Sequence, residues 1–335
     1  MSIGILGTGS YLPPAVLSSI ELGERLGVGE EWIVRRTKIR ERRVAGPDEA
    51  TSDLAARAAE FALASAGLCP LDIDLIVVAT STPDQPIPAT ASMVQAQLGA
   101  FQAAAYDVDA VCTGFLYALV STHALLQARP TPARALVIGA DIYSRILDYD
   151  DRRTCVLFGD GAGAVVLGPV NPGSGLLSSV LASDGTMADY VQIPAGGSRT
   201  PTSVTTVKSR QHYFTMRGRE VRELATKVLP RTADEVSAAI GVNVTDIDLL
   251  VPHQANGVLL DELSQALDMD GERMHRTVER YGNTGAASVP ITLDEAVRHG
   301  KLHSDDLVLL LAIGGGMTWG GVALRWSRTA NLDAA

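Results

Sequence analysis

The sequence predicts an α/β protein of two similar halves, each a largely parallel sheet covered by helices. Three observations carry that prediction. Short β-branched runs alternate with amphipathic helical stretches, the βαβα pattern of parallel strands joined by helical crossovers. Glycine is abundant (32 of 335 residues) and aromatic residues are scarce (5%), which suits many tight turns. Each half also closes on a glycine-rich, hairpin-like segment, FGDGAGAVVLGP in the first and GGGMTWGGVALRW in the second. This faint internal repeat sets the expected halves at 1–170 and 171–335.

In the first half, the strand candidates are IGILGTG (3–9), DLIVVAT (74–80), AAYDVDAV (104–111), RALVIGAD (134–141) and GAGAVVLGP (161–169). Apolar residues at helical spacing predict helices over 51–67, capped by Thr51 or Ser52, and over 89–99. In the second half, 216–240 reads as helical, with Pro230 as a kink or boundary. Then come IDLLVPH (247–253), GVLLDELSQAL (257–267), SVPITLDEAVRHG (288–300) and DLVLLLAIGGG (306–316). The polar, aperiodic stretch 186–212 is expected to be a long surface excursion.

Bulk composition excludes several classes. Hydrophobic residues make up 46% and charged residues 20%, so a substantial core is expected. A formal charge of −10 argues against nucleic acid as a partner. The N-terminal MSIGILGTGSYLPP lacks the features of a secretion signal. The longest apolar run, LVLLLAI (307–313), is too short to span a membrane. Three widely spaced cysteines, Cys69, Cys112 and Cys155, do not make a disulfide framework and point to a reducing, cytoplasmic setting.

The stretch DVDAVCTGFLYALV (107–120) places Cys112 where an extended run gives way to a helical one. Unpaired N–H groups and the aligned peptide dipoles at a helix start stabilise a thiolate, so a lowered pKa and a nucleophilic sulfur are expected. A buried free cysteine is also simply a small apolar residue. His253 directly follows an apolar run, Asn283 sits in a glycine-flanked turn, and Gly314, Gly315 and Gly316 follow the strongest apolar strand. All fall at strand ends, where open α/β sheets bind ligands. A thiol, an imidazole, a carboxamide and exposed backbone N–H groups are the parts of an acyl-transfer site. Singly, each also reads as turn chemistry or a structural residue.

The order VCTGFLYAL, FGDGAGAVVL, VPHQAN, YGNTGAASVP and GGGMTWG, with EEWIVRRTKIRERR and TSDLAARAAEFALASAGL, resembles β-ketoacyl-acyl-carrier-protein synthase III, a thiolase-fold condensing enzyme. The likeness runs from about residue 3 to 326. It implies a five-layered αβαβα core, a homodimer, and no cofactor or metal, with coenzyme A thioesters as substrates. Cys112 would carry an acyl group taken from acyl-CoA. His253 and Asn283 would stabilise the enolate formed when a malonyl thioester loses CO2. The N–H groups of Cys112 and Gly315 would hold the second oxyanion. Trp32 and Arg152 match residues that sandwich the adenine of CoA, and Arg36 matches a phosphate contact. The acceptor would be an acyl carrier protein or another acyl acceptor, in fatty-acid or polyketide biosynthesis.

The chain also departs from that family's pattern. Arg222 and Glu223 stand where Phe and Lys are typical, Gly257 and Val258 where Leu and Arg are frequent, and Gln265 and Ala266 where paired lysines are common. The basic patch for an acidic carrier protein is therefore expected to be largely absent. Gly285 replaces a serine, and Ile87 lies in the loop that normally sends an aromatic into the partner's acyl tunnel, implying altered acyl selectivity. These departures support an alternative, an acyltransferase that passes the acyl group from Cys112 to another carrier, CoA or a small hydroxyl without condensing. A dinucleotide-binding reading of GILGTGS or FGDGAGA lacks the full glycine fingerprint. A zinc pair from His299 and His303 lacks the companion glutamate and is discounted. Cys69 and Cys155 are expected to be inert.

Overall fold

In the computed structural model, residues 2–269 and 271–327 are described. The N-terminal half runs β1 (Ser2–Tyr11), β2 (Ala15–Ser18), α1 (Ser19–Leu26), α2 (Glu30–Thr37), β3 (Glu41–Val44), α3 (Thr51–Ala66), β4 (Leu75–Ala79), α4 (Thr90–Leu98), β5 (Ala104–Val108), α5 (Gly114–Gln127), β6 (Ala135–Ile142) and β7 (Asp160–Val170). The C-terminal half runs β8 (Gly175–Ser183), β9 (Val191–Gln192), α6 (Val204–Lys208), β10 (Thr215–Met216), α7 (Gly218–Ala238), β11 (Leu249–Pro252), α8 (Gly257–Ala266), α9 (Val278–Tyr281), α10 (Ser288–Arg298), β12 (Leu307–Gly314) and β13 (Thr318–Arg325).

Two sheets organise the chain. The first has the order β1-β7-β6-β4-β5 and the second β11-β12-β13-β8. Read from the opposite end, the second repeats the first, β8-β13-β12-β11 against β1-β7-β6-β4. The fifth position is filled by residues 273–275, which bridge β11 through Leu250 and Met274 in parallel. The sheets are mixed rather than largely parallel. β7 runs antiparallel to both β1 and β6, and β13 runs antiparallel to both β12 and β8. The reason is the glycine-rich strand that closes each half: it runs back beside the preceding strand, after a long loop in the first half and a tight turn in the second, instead of crossing over through an α-helix.

Side-chain alternation along the strands builds five layers. Ile76, Val78, Leu136 and Ile138 face outward onto α3 and its alanines. Leu75, Val77, Ala135 and Val137 face inward, onto Phe115 and Leu119 of α5 and Val289 and Leu293 of α10. The same inner layer takes Leu249, Val251, Val308 and Leu310 from the second sheet. Leu250, Leu309 and Leu311 face outward onto the apolar side of α7 and α8. The order is helix, sheet, helix, sheet, helix, and α5 is apolar nearly all round because both its faces are covered.

Three local expectations change. Ala50, not Thr51 or Ser52, caps α3: its N–H donates to Asp53 at 2.8 Å. Thr51 and Ser52 instead hold the 82–84 loop, through Thr82 O (2.6 Å) and the Asp84 carboxylate (2.7 Å). Pro230 sits inside a single helix, α7. The stretch 186–212 carries the short β9 and α6. Among the described residues, no helix is long and apolar enough to cross a membrane.

Candidate active site

β5 ends at Val108, and a single 3₁₀ turn, Val111–Thr113, leads into α5. Val111 has φ 50°, a left-handed conformation that a β-branched residue rarely adopts. That sharp turn places Cys112 at the head of α5, as the sequence predicts. Thr318 locks it from the second half, donating to Ala110 O at 3.1 Å.

His253 follows β11, its N–H bound to Leu311 O at 2.7 Å. Its Nδ1 lies 2.6 Å from Ser288 Oγ. Ser288 Oγ accepts from the Gln254 N–H at 3.3 Å, and with its proton assigned to Nδ1 the imidazole carries its own proton on Nε2. Burial pushes the His253 pKa down to about 3, so the ring is neutral. The rest of the HQAN motif is structural. Gln254 accepts from the N–H groups of Thr277 (2.9 Å) and Val278 (3.1 Å), and Asn256 caps α8 by accepting from the Leu259 N–H at 2.9 Å. Asn283 is pinned by its N–H to Leu157 O, 2.9 Å. Its Oδ1 accepts from Gly285 N–H, 2.9 Å, which leaves the Nδ2 donor free of that turn.

These elements bring Cys112, His253, Asn283, Gly314 and Gly315 around one cavity of about 70 Å³. Leu157, Phe158, Phe214, Met216, Val221 and Met317 supply apolar walls. Phe158 stacks on Tyr143 with ring centroids 4.4 Å apart, and Phe214 stands edge-on to Phe158 at 4.9 Å. Neither Cys69 nor Cys155 lines the cavity.

The electrostatics of the sulfur reverse the sequence expectation. Burial pushes the Cys112 thiol up to about 12, and the Asp141 carboxylate adds repulsion. A hydrogen bond from Tyr143 and the Cys112 backbone N–H oppose this without overcoming it. A helix start favours a thiolate only to the extent that water can still reach it; here the sulfur is enclosed, and desolvation dominates. Sequence reasoning did not single out Asp141 or Tyr143. Asp141 is the one charged residue of the apolar strand β6, next to its end, and that placement was the available signal. Burial pushes its pKa up to about 6 against hydrogen bonds from Ala286 N–H (2.8 Å), Ser81 N–H (2.9 Å), and the Thr82 (2.9 Å) and Thr80 (3.1 Å) hydroxyls.

The expected CoA residues come together outside the cavity. The guanidinium carbons of Arg36 and Arg152 lie 4.2 Å and 5.4 Å from the Trp32 ring centroid. Such contacts are worth about 0.5–1 kcal/mol at exposed sites. An adenine entering this stack has to separate Arg152 from Trp32. Ile87 does not line this chain's own cavity: it stands 84% exposed, because its loop projects outward.

The surface of α8 is electrically quiet, as its sequence predicts. Arg222 is paired with Glu262, while Lys38 (3.0 Å) and Arg276 (2.6 Å) are both taken up by Asp261. His299 groups not with His303 but with His275 and Glu295, one ligand atom from each lying within 4.8 Å of the others. There Glu295 already binds His275 Nε2 (3.0 Å), Arg280 (2.5 Å) and the Tyr281 hydroxyl (2.9 Å). A cation would have to displace an ion pair.

Comparison with known proteins bears on this geometry. Residues 106–185 match the family model for 3-oxoacyl-[acyl-carrier-protein (ACP)] synthase III, and residues 237–326 match the model for its C-terminal part. The chain is 45% identical over 328 residues to a β-ketoacyl-[acyl-carrier-protein] synthase III from Caldanaerobacter subterraneus (98% of this chain, 99% of the relative). It is 50% identical over 324 residues to an acetoacetyl CoA synthase from a Streptomyces species (96% and 98%). The solved 3-oxoacyl-(acyl carrier protein) synthase III of Pseudomonas aeruginosa superposes with a TM-score of 0.90 at 41% identity, covering 98% of this chain and 99% of that one.

Proposed function

The chain belongs to the 3-oxoacyl-[acyl-carrier-protein] synthase III family and is a condensing acyltransferase of fatty-acid or polyketide synthesis; from that premise we propose that it loads a short acyl group, acetyl foremost, onto Cys112 and extends it with a malonyl unit carried by CoA. The observation that carries this reading is the single cavity of about 70 Å³ shared by Cys112, His253, Asn283 and Gly315. It is closed by aromatic walls that leave room for little more than a short acyl chain.

Cys112 sulfur attacks the acyl-CoA carbonyl; the carbon–sulfur bond to CoA breaks and CoA leaves. The malonyl thioester then enters. Its carboxyl carbon–carbon bond breaks, CO2 departs, and the electron pair moves into an enolate. Neutral His253 donates Nε2–H and Asn283 donates Nδ2–H to the enolate oxygen, fixed donors that need no reorganisation. The enolate carbon attacks the acyl carbonyl, whose developing oxyanion is held by the N–H groups of Cys112 and Gly315. Collapse breaks the bond to Cys112 and releases the β-ketoacyl thioester. Transfer without condensation would leave His253 and Asn283 without a task.

CoA rather than a carrier protein is favoured as the malonyl carrier by the neutralised face of α8. Arg222, which lines the cavity, is already paired with Glu262, and Lys38 and Arg276 are paired with Asp261 of α8, so little field remains there to steer an acidic protein. The Streptomyces relative, whose name specifies a CoA product, points the same way. Trp32, Arg36 and Arg152 would then receive the CoA nucleotide. We place the enzyme in the cytoplasm as a homodimer, in which exposed Ile87 would reach the partner's acyl site. Sedimentation at micromolar concentration tests the dimer.

The central test combines two measurements. Intact-mass analysis after incubation with acetyl-CoA should show one acetyl adduct, lost in Cys112→Ala. Malonyl-CoA should then release CO2 and give acetoacetyl-CoA with a higher kcat/KM than the malonylated carrier protein gives its product. Acceptor release without CO2 would reject condensation, and preference for the carrier protein would reject the CoA assignment.

A further inference from the structure

The two N–H groups that face the second oxyanion come from opposite halves of the chain. Cys112 stands on the 3₁₀ turn that leads into α5, and Gly315 stands in the turn between β12 and β13. One side chain reaches both turns. The Thr318 hydroxyl lies 3.1 Å from Ala110 O and 3.0 Å from Gly315 O, and its single proton is shared between the two carbonyls. Thr113 meets it from the first half: its hydroxyl donates to Thr318 O at 3.2 Å and lies 3.1 Å from Thr318 Oγ1. Neither threonine lines the catalytic cavity.

The turn before Cys112 needs holding because it is strained. Val111 sits at φ 50°, and a β-branched residue gains energy by leaving that region. Leaving it means turning the Ala110–Val111 peptide relative to the peptide that carries the Cys112 N–H. The Ala110–Val111 peptide is gripped at both ends. Its carbonyl accepts from the Thr113 N–H at 3.1 Å and from the Thr318 hydroxyl, and its N–H donates to Asp109 Oδ1 at 3.0 Å. With that plane held, the next one cannot swing to relieve Val111.

The glycine turn has the opposite need. Gly314, Gly315 and Gly316 carry no side chains to restrict them, and Gly316 adopts φ 125°. The Thr318 hydroxyl pins the Gly315 carbonyl within this otherwise free turn. The threonine also packs against it: a Cβ on Gly316 would lie 2.9 Å from Thr318 Cγ2.

We infer that Thr318 is a positioning residue for acyl transfer: its hydroxyl, backed by Thr113, ties the turn bearing the Cys112 N–H to the turn bearing the Gly315 N–H and keeps the two donors convergent on one oxyanion. That role rests on the assignment of these N–H groups to the acyl oxyanion. It divides the two half-reactions. Decarboxylation uses His253, held by Ser288 at 2.6 Å, and Asn283, held by Leu157 O at 2.9 Å, and neither contact involves Thr318. Loss of the Thr318 hydroxyl is therefore felt where Cys112 is acylated and not where the enolate forms.

The test compares Thr318→Val, which keeps the shape and loses the hydroxyl, with Thr318→Ser, which keeps the hydroxyl. Single-turnover acetylation by acetyl-CoA, read by intact mass, should slow on the order of 10²-fold in Thr318→Val. The acetyl-CoA concentration giving half the maximal rate should not move, because the oxyanion exists only as the new bond forms. Thr318→Ser should recover most of the rate. CO2 release from malonyl-CoA, followed in the Cys112→Ala background, should be the same with and without Thr318→Val, which also reports that the variant is folded. Full-rate acetylation by Thr318→Val would overturn the positioning role. So would an equal loss in both half-reactions, or a Thr318→Ser enzyme as slow as Thr318→Val. An unsubstituted enzyme that takes up no acetyl group would instead remove the assignment of Cys112 on which the role rests.

Discussion

A Cβ placed on Gly314 would lie 2.8 Å from the backbone nitrogens of both Cys112 and Thr113. The end of β12 and the head of α5 meet backbone to backbone, and only a residue without a side chain permits that approach. The contact fixes where the Cys112 N–H points relative to Gly315. Gly314→Ala should therefore lower acylation on the order of 10²-fold, the scale of one misplaced oxyanion donor. Stability should drop by about 1–3 kcal/mol from overpacking. Denaturant melts together with acetyl-CoA burst kinetics check both; a variant with full acylation would show that the turn can shift without consequence.

The resting thiol makes a prediction against intuition. With Cys112 held up to about 12 by burial, a small alkylating reagent at pH 7 should modify exposed Cys69 well before Cys112. Raising the pH should speed Cys112 selectively, because the reactive form is the thiolate. Peptide mapping after timed exposure to iodoacetamide reads the order. Cys112 reacting first at neutral pH would mean that its thiolate is stabilised after all.

The decarboxylation site should be indifferent to acid. Burial keeps His253 near 3, below its ordinary value of 6.5, so it remains a neutral donor down to far below physiological pH. CO2 release from malonyl-CoA by Cys112→Ala should stay flat between about pH 5 and 8. His253→Ala and Asn283→Ala should each reduce it about 10²- to 10³-fold. An inflection near the ordinary histidine pKa would contradict the buried neutral imidazole.

Glu295 anchors the back of the α9–α10 corner. Burial alone would raise its pKa, but His275, Arg280 and Tyr281 donate to it and hold it down to about 2, from an ordinary 4.5. The folded state thus binds this proton less readily than the unfolded chain. Its stabilisation is complete above about pH 4.5 and drains away as pH falls toward 2. Glu295→Gln should lose about 2 kcal/mol at neutral pH, a buried-pair value discounted because Arg280 is half in water, and should show a shallower decline in acid. Urea midpoints across that range provide the measurement.

Much of the fold was legible because its signals are local. The outward and inward residues of β4 and β6 alternate, α3 and α10 repeat at helical spacing, Cys112 and His253 stand at the ends of extended apolar runs, and Asn283 stands in a glycine-flanked turn. The antiparallel β2–β3 pair, which closes across α1 and α2, escaped notice because ERRV reads as charged surface. In the fold Arg42 is enclosed and its guanidinium donates to Val156 O at 2.8 Å, a partner far along the chain. The mixed direction of the sheets escaped for a similar reason, since a glycine-rich strand carries no mark of which neighbour it will pair with.

Sequence alone determined which chemical groups this protein brings to bear and at which turns they stand, because residue type and periodicity are properties of neighbouring positions. The tertiary structure decided their ionisation and their company. Cys112 was expected to ionise at a helix start. Enclosure by both halves withholds water from the sulfur and leaves it facing the repulsion of the Asp141 carboxylate. Solvation and local charge are settled by groups that meet only when the chain closes on itself, and no local pattern records them.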